Sequence, residues 1–233
     1  MTAPQKRQAY FVTGTDTEVG KTLVSCLLLR TAAARGLTTL GMKPLAAGGE
    51  QTLEGLRNED ALQLMEASSR QLPYAQVNPV CLPDPLSPHL AARLAGRRIS
   101  AERLAGFCQG VLMQRADFTV IEGAGGWRVP INAREYLSDV ARALQLPVLL
   151  VAGLRLGCLN HTLLTAEAIH RDGLVLGGWV ANVLEADMAQ QDGNIATLSD
   201  ALGMPPLGVV PRLPTPLCLQ RHVDLLDLSL LGP

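Results

Sequence analysis

The residue types and spacing best suited to chemistry lie at residues 14–22, Gly-Thr-Asp-Thr-Glu-Val-Gly-Lys-Thr. This segment follows an apolar run at residues 9–12 and opens a helical pattern over residues 23–35. A strand, a glycine-containing turn and a helix that starts at Gly-Lys-Thr are typical of a phosphate-binding loop. In such a loop, backbone N–H groups and the helix dipole hold the anion, the lysine reaches the outer phosphates, and the hydroxyl holds Mg²⁺. We therefore predict that this protein uses a nucleoside triphosphate.

The loop departs from the common G-x-x-x-x-G-K-[ST] spacing. The first glycine of that pattern would fall at Thr15, whereas Gly14 lies one residue earlier. The order of strand, turn and helix is the context that the mechanism requires, and it supports the prediction. The alternative is an ordinary strand–turn–helix corner with an exposed Lys21.

A carboxylate ends another strand-like run. Residues 119–121 lead into Glu122, and the glycine-rich residues 123–126 follow. An acid at a strand tip binds Mg²⁺ directly or through water, and glycines let backbone N–H groups approach phosphate closely. A Rossmann dinucleotide turn fails because it would need glycine at position 128, which is Arg128. A plain tight turn remains the alternative.

Two more charged residues follow the second predicted strand. Lys43 comes at the end of that strand, where it would stabilise negative charge; a solvated surface lysine is the alternative. Asp60 lies near the start of the next helix, where an interaction with the helix dipole is the alternative. Thr22, Asp60 and Glu122 together would supply three oxygen ligands, which suits Mg²⁺.

Two polar sites lie later in the chain. Asn182 places an amide at a strand end, where it would both donate to and accept from an adenine edge. Residues 156–161 lie between a strand and a helix and form a second anion-accepting helix start. Asn160 as a simple N-cap is the alternative, and the lone His161 is assigned no chemistry.

Strand-like runs alternate with helical patterns, which is typical of repeated βα units and a parallel sheet. The predicted strands are residues 9–13, 38–43, 118–122, 147–153, 174–181 and 207–210. The predicted helices are residues 21–35, 59–68, 101–116, 138–146, 160–171 and 187–202. We predict an α/β fold of the P-loop NTPase type, with three layers, a mostly parallel central sheet flanked by helices, and a single domain over residues 1–233. Ligands of such sheets bind beyond the carboxyl ends of the strands, where the candidate residues lie.

Two stretches fit no βα unit. Residues 73–88 carry five prolines, and we predict that they form an irregular surface excursion. After Pro211 the chain is proline-rich and then leucine-rich, which indicates a loop and a short terminal packing segment.

Composition narrows the choice of partners and compartment. The 233 residues carry a formal net charge of -1 and only 3% aromatic residues, so nucleic-acid and anionic-membrane partners are not expected. No run of about 18 apolar residues exists, so no membrane span is predicted. The five cysteines are scattered and never form C-x-x-C, which indicates reduced thiols in a cytoplasmic protein.

Taken together, these segments resemble the dethiobiotin synthase family, the ATP-dependent carboxylases of biotin biosynthesis. The matching segments, in chain order, are residues 10–22, 43–44, 54–58, 77–79, 87–89, 122–127, 156–161 and 178–182, with a fainter match at 208–211. The resemblance implies a cyclo-ligase that forms C–N bonds. It would convert 7,8-diaminononanoate, CO₂ and ATP into dethiobiotin, ADP and phosphate through a carbamate and a carbamic–phosphoric anhydride.

The resemblance also implies residue roles. Lys21 and Lys43 would be catalytic, with Lys43 bridging carbamate and γ-phosphate, and Mg²⁺ would be held by Thr22, Asp60 and Glu122. The diamino acid would bind at a helix N-terminus that the partner subunit of a homodimer supplies. The implied substrate-binding residues are Lys43, Ala47, Gly157, Cys158 and Asn160. The implied nucleotide-binding residues, with the adenine contacts last, are Thr17, Glu18, Val19, Gly20, Lys21, Thr22, Leu23, Asp60, Glu122, Gly123, Ala124, Gly125, Asn182, Val183, Pro211, Arg212 and Leu213.

One position departs from the family pattern. Ala47 stands where the family usually has a hydroxyl residue, so a side-chain hydrogen bond to the substrate is missing or is replaced by backbone or water.

Two other functions remain open at this stage. A MinD/ParA-like ATPase switch shares the fold class, but its extra loop lysine is Asp16 here, and residues 222–227 are not basic. A small-molecule kinase would transfer phosphate without fixing CO₂, and dependence of ATP turnover on bicarbonate separates that reading from ours.

Overall fold

Six strands form one parallel sheet at the centre of the molecule, and all six were predicted from the sequence. The computed structural model describes residues 7–212 and 222–231. The sheet strands are β1 (Gln8–Gly14), β2 (Thr39–Met42), β7 (Phe118–Glu122), β8 (Val148–Leu154), β9 (Leu176–Val183) and β10 (Val209–Val210). Their order across the sheet is β10-β9-β8-β1-β7-β2, with parallel pairing throughout. β1 therefore lies inside the sheet, between β7 and β8.

Helices cover both faces of this sheet. They are α1 (Lys21–Ala34), α2 (Glu59–Ala67), α3 (Tyr74–Val77), α4 (Pro88–Leu94), α5 (Ala101–Leu112), α6 (Leu137–Leu144), α7 (Cys158–Arg171) and α8 (Gln191–Leu202). Side chains alternate along β1, so that Tyr10 and Val12 pack with α1 and α2 while Phe11 packs on the opposite face with α5 to α8. Because each face buries its own hydrophobic cluster, the predicted three-layer α/β fold is confirmed.

Some predicted boundaries shift by a few residues for local backbone reasons. The helix predicted at 101–116 ends at Leu112, since Arg115 adopts a left-handed conformation with φ 56°. The helix predicted at 187–202 begins at Gln191, after Gln190 with φ 56°. The helix predicted at 160–171 begins earlier, at Cys158.

The prediction of a surface excursion at residues 73–88 was wrong. This segment contains α3 and the strand β6 (Val80–Leu82), and its residues Val77, Val80 and Leu82 are buried. β6 pairs in parallel with β3 (Leu45–Ala47), which continues the chain just beyond β2. The prolines flank the apolar run rather than interrupting it, so they remove no hydrogen bond from the pairing.

A small hairpin and two 3₁₀ helices lie outside the central sheet and its flanking α-helices. An antiparallel hairpin joins β4 (Glu50–Thr52) to β5 (Gly55–Arg57) and was not predicted. The loop predicted after Pro211 falls largely on residues 213–221, outside the described residues. The 3₁₀ helices Val223–Leu225 and Leu228–Leu230 pack against α1, where Leu226, Leu228 and Leu231 are buried. The predicted terminal packing segment is thus confirmed. Within the described part of the chain, no helix combines the length and the apolar character that crossing a membrane requires.

Candidate active site

The predicted phosphate-binding loop connects β1 to the first residue of α1. β1 ends at Gly14 and α1 begins at Lys21, with Gly20 in a left-handed conformation (φ 87°) directly before the helix. Asn182, at the end of β9, is buried, and its Nδ2 donates to the Val19 carbonyl at 2.8 Å. The loop is therefore held from behind by an amide 163 residues away along the chain.

Close packing against Asn182 makes Gly20 sensitive to substitution. A Cβ at this position would overlap Asn182 Nδ2 and would keep a φ that L residues rarely adopt. We expect Gly20→Ala to weaken ATP binding by about tenfold or more, because the loop must move to accommodate the added methyl group. A tenfold loss of affinity corresponds to ~1.4 kcal/mol of binding free energy. Isothermal titration with ATP measures this change.

Gly36→Ala is the matched control. Gly36 has a similar φ of 82°, but an added Cβ there would meet no atom within 4 Å. It should lower the free energy of unfolding by about 1–2 kcal/mol through backbone strain and leave ATP affinity unchanged. Equal ATP affinities of the Gly20→Ala variant and the wild type would show that the contact with Asn182 does not shape the loop.

Lys21 is buried beside the loop, so the alternative of an exposed lysine was wrong. The residue is 7% exposed, and its Nζ donates to the Asp16 carbonyl at 2.8 Å. Burial lowers the pKa of Lys21 to about 8, although the nearby Glu122 acts in the opposite direction. A poorly solvated ammonium of this kind gains more from an approaching anion than an exposed lysine would.

The predicted metal ligands and Lys43 form one cluster. Lys43 Nζ donates to Asp60 Oδ2 and to Glu122 Oε1, both at 2.7 Å, and the Thr22 hydroxyl donates to the same Glu122 Oε1 at 2.9 Å. Lys43 is 5% exposed and Glu122 is fully buried, so the alternative of a solvated surface lysine was also wrong. Four residues from four separate segments of the chain meet here at the carboxyl ends of β2 and β7.

Electrostatics keep Lys43 and Asp60 of this cluster charged. Burial acts to lower the pKa of Lys43, but Glu122 and Asp60 together outweigh it, and the pKa is raised. Burial acts in the opposite sense on Asp60, where Lys43 and Thr22 prevail and lower the pKa of the carboxyl. Asp60 also lies in the first turn of α2, whose N-cap is Asn58, so the helix dipole favours its charge as the alternative reading proposed.

One oxygen of the cluster is left without a protein partner. Glu122 Oε2 is buried and has no hydrogen-bond partner among the described residues. Buried carboxylate oxygens normally find a donor or a cation, so this atom is one that a bound cation would satisfy.

A cleft of about 750 Å³ opens in front of the loop and the cluster. Half of the predicted site residues line it, namely Thr17, Glu18, Gly20, Lys21, Thr22, Leu23, Lys43, Ala47, Asp60, Ala124 and Gly125. Val19, Glu122, Gly123 and Asn182 lie behind this surface or beneath it, and none of them lines the cleft. Residues that were not predicted complete the wall, namely Pro85, Leu86, Ser87, Pro88 and Val129.

The segment that carries Val129 into the cleft wall is held in place by hydrogen bonds to the C-terminal end of α7. Trp127 Nε1 donates to Asp172 Oδ2 at 2.8 Å, and the guanidinium of Arg128 binds both oxygens of the same carboxylate at 2.7 and 2.8 Å. Asp172 caps the C-terminal end of α7, so the segment after the glycine-rich turn is tied to that helix. No local sequence pattern pairs positions this far apart, and sequence reasoning missed the contact.

The residues predicted at the second helix start do not reach this cleft in the same chain. Gly157 is the N-cap of α7, so the alternative of Asn160 as N-cap was wrong. Gly157 and Asn160 are exposed, Cys158 is buried, and none of the three lines the cleft.

The later residues predicted to hold adenine lie beyond the cleft. Val183 ends β9, and Pro211 and Arg212 are exposed after β10. Leu213 lies outside the described residues.

Comparison with known proteins identifies the family. A family model described as an AAA domain matches residues 8–216. The ATP-dependent dethiobiotin synthetase BioD of Cellvibrio japonicus is 58% identical over 89% of this chain and 90% of its own length. BioD of Pseudomonas aeruginosa (strain PAO1) is 54% identical over 95% of this chain and 98% of its own length. The chain belongs to the dethiobiotin synthetase family. It is an enzyme of the ligase type, as the sequence predicted.

Solved structures show the same fold at much lower identity. The MinC:MinD cell division complex of Aquifex aeolicus superposes with a TM-score of 0.55 at 14% identity, covering 93% of this chain and 86% of that one. A ParA family ATPase of Chlorobium tepidum superposes with a TM-score of 0.53 at 10% identity, covering 97% of both chains. At these identities the likeness concerns the fold alone, and it agrees with the predicted P-loop NTPase type.

Proposed function

We propose that the protein uses ATP to carboxylate 7,8-diaminononanoate with CO₂ and to close its ureido ring, giving dethiobiotin, ADP and phosphate. The observation that carries this proposal is the pair of buried lysines, Lys21 and Lys43, that line one cleft at the end of a parallel sheet. The family membership supports the same reaction, since relatives over 50% identical carry the name dethiobiotin synthetase.

The reaction brings two anions together, and the site is suited to that task. A carbamate and the γ-phosphate of ATP repel each other, and phosphoryl transfer depends mainly on positioning and on stabilising charge. Lys21 begins α1 directly after the loop and serves the triphosphate. Lys43 would lie between the carbamate and the γ-phosphate, and Asp60 and Glu122 keep it charged.

The bonds change in three steps. An amine nitrogen of the substrate adds to the carbon of CO₂ and loses a proton, which gives a carbamate. A carbamate oxygen attacks the γ-phosphorus, the bond to the bridging oxygen breaks, and ADP leaves. The second amine attacks the carbamoyl carbon of this mixed anhydride and loses a proton, the C–O bond to phosphate breaks, and the ring closes.

The residues present suit Mg²⁺. The hydroxyl of Thr22 and the carboxylates of Asp60 and Glu122 are oxygen ligands of the kind that Mg²⁺ prefers, and Glu122 Oε2 is a buried oxygen without a partner among the described residues. When bound, Mg²⁺ would neutralise charge on the triphosphate. The four charged groups of the site, Lys21, Lys43, Asp60 and Glu122, sum to zero without it, so the added charge would fall on the nucleotide.

We place the rest of the two substrates by the family resemblance. Gly157, Cys158 and Asn160 of a partner subunit would bind the carboxylate of the diamino acid, which is consistent with their distance from the cleft of their own chain. Asn182, Val183, Pro211, Arg212 and Leu213 would hold adenine. One of the N–H donors of Asn182 already serves the Val19 carbonyl, so this residue would join the adenine site to the loop.

The proposal also covers the cellular compartment of the protein and the extent of its domain. Cys26, Cys81, Cys108 and Cys158 are free and buried, which suits a protein of the reducing cytoplasm. We propose that residues 1–233 act as one ATP-dependent carboxylase domain.

The decisive test supplies protein, diamino acid, labelled bicarbonate, Mg²⁺ and ATP, and looks for label in a cyclic urea. We expect label in the product and ATP turnover that requires both bicarbonate and diamine. A monoamine analogue is the matched control, because it can form a carbamate but cannot close the ring. ATP turnover that is independent of bicarbonate, with phosphate transferred to the substrate, would instead establish a small-molecule kinase.

The shared substrate site has a separate test. Light scattering during turnover should give the mass of a dimer. A fully active monomer would contradict the proposal that a partner subunit completes the site.

A further inference from the structure

A line of hydrogen bonds runs behind the active-site cluster and ends on the backbone of Lys43. The Asn58 N–H donates to Tyr74 Oη at 2.7 Å, Tyr74 Oη donates to Asn78 Oδ1 at 2.8 Å, and Asn78 Nδ2 donates to the Lys43 carbonyl at 2.6 Å. We call these three bonds the Tyr74–Asn78 bridge. Asn58 and Asn78 are 7% and 3% exposed, so the two asparagines are shielded from water, while Tyr74 between them is half-buried.

The two ends of the bridge carry the two members of one ion pair. Asn58 is the N-cap of α2, with its side chain accepting from the Ala61 N–H, and Asp60 follows two residues later. The other end is Lys43 itself, whose N–H also donates to the Val77 carbonyl at 2.9 Å. The bridge therefore connects the backbones from which Lys43 Nζ and Asp60 Oδ2 approach to 2.7 Å.

The opposite end of α2 is attached to β2 independently. Ser68 Oγ accepts from the Gly41 N–H at 2.8 Å, and Ser69 Oγ accepts from the Thr39 N–H at 2.7 Å. The serine contacts fix where α2 ends, whereas the bridge fixes where it begins. Only the beginning of the helix lies at the active site.

Tyr74 and Asn78 do not line the cleft, so they would act through other residues. Arg57 stacks over the Tyr74 ring at 4.1 Å and closes its outer side, while the hydroxyl points inward to the two asparagines. A buried network in which every member has a partner restricts the positions its ends can take. Lys43 needs that restriction, because a displacement of about 1 Å costs as much as 10²-fold in rate.

We propose that Tyr74 and Asn78 are positioning residues for the reaction, which set the Lys43 ammonium relative to Asp60. This proposal rests on the proposed carboxylation. Among the sequence observations, Asn78 appeared only within a matching segment and Tyr74 was not singled out. In this proposal neither Tyr74 nor Asn78 contacts the substrate. Its consequence is a defect in the chemical step without a defect in ATP binding.

The test uses Tyr74→Phe, which keeps the ring and removes the hydroxyl, and Asn78→Asp, which keeps the shape and removes the donor to Lys43. We expect kcat to fall by about 10- to 100-fold in both variants, with the Kd for ATP unchanged within about threefold. Ser69→Ala is the matched control, since it removes a hydrogen bond between the same helix and strand at the far end. It should lower Tm and leave kcat at the wild-type value.

A second readout does not depend on activity. The chain has three lysines, Lys6, Lys21 and Lys43, so protein labelled with ¹³C at lysine Cε gives a resolvable NMR spectrum. The Lys43 signal should shift in Tyr74→Phe and Asn78→Asp but not in Ser69→Ala. A Lys43 signal or a kcat at the wild-type value in both bridge variants would overturn the proposal. So would an equal kcat loss in Ser69→Ala, or failure of both bridge variants to fold.

The two proposals fail in distinguishable ways. A wild-type protein that makes no labelled cyclic urea contradicts the carboxylation, and the NMR signal of Lys43 then decides the positioning role alone. If the wild type makes labelled cyclic urea and both bridge variants have the wild-type kcat, only the positioning role is contradicted.

Discussion

Replacing Lys43 with alanine is expected to reduce cyclic urea formation by about 10³-fold or more, while ATP binding changes far less. Lys43 is the only described cation that donates to both Asp60 and Glu122, and it lies where the carbamate and the γ-phosphate would meet. Lys21 and the loop remain to hold the triphosphate. Product formation and the Kd for ATP, measured on the same preparation, give the two effects separately.

The same substitution should also destabilise the protein. Glu122 is fully buried, and without Lys43 its carboxylate loses a partner at 2.7 Å. Removing one member of a buried ion pair typically costs about 3–5 kcal/mol, because the remaining charge is left without a counter-ion. Denaturant unfolding of Lys43→Ala should show a loss of this order.

A second variant tests the cause of the lost stability. In Lys43→Ala combined with Glu122→Gln, the uncompensated charge is gone, so the free energy of unfolding should recover most of the loss. Carboxylation stays absent in this variant, because Glu122 is itself a proposed Mg²⁺ ligand. Carboxylation at the wild-type rate in Lys43→Ala would show that the bridging role is wrong.

Lys21→Ala is expected to abolish ATP turnover, a loss of about 10³-fold or more, because the loop loses the cation that serves the outer phosphates. The third lysine of the chain, Lys6, provides the control Lys6→Ala, for which we expect normal turnover. A steady-state phosphate-release assay measures both variants. Wild-type turnover in Lys21→Ala would show that the loop does not bind the reacting nucleotide.

The two lysines should differ in their effect on stability. Burial lowers the pKa of Lys21 to about 8, so the folded protein disfavours its charge at neutral pH. The Lys21→Ala variant should therefore have a free energy of unfolding equal to or higher than that of the wild type. The pKa of Lys43 is raised by its carboxylate partners, so the folded protein favours that charge. At pH 7, the free energy of unfolding should fall clearly in Lys43→Ala, whereas in Lys21→Ala it should stay unchanged or rise.

The sheet and its flanking helices follow from local sequence. Each strand of the central sheet is a short apolar run bounded by turn residues, and the 3.6-residue period marks the helices between them. The hairpin at residues 50–57 and the strand at 80–82 were missed, because three-residue strands carry too little pattern to be recognised among glycines and prolines. The hairpin strands pair with each other, whereas the strand at 80–82 pairs with β3, which lies more than 30 residues earlier in the chain.

The amino-acid sequence by itself determined the phosphate-binding loop, the order of βα units and the residue types of the site, because each depends on neighbours within one element. Only the tertiary structure decided that Lys43 pairs with Glu122, 79 residues away, and that Asn182 supports the loop from 163 residues away. It also decided that both lysines are buried and that Tyr74 and Asn78 stand behind the ion pair. Such contacts depend on which strands become neighbours in the sheet, and that arrangement is set by the packing of the whole core rather than by any local pattern.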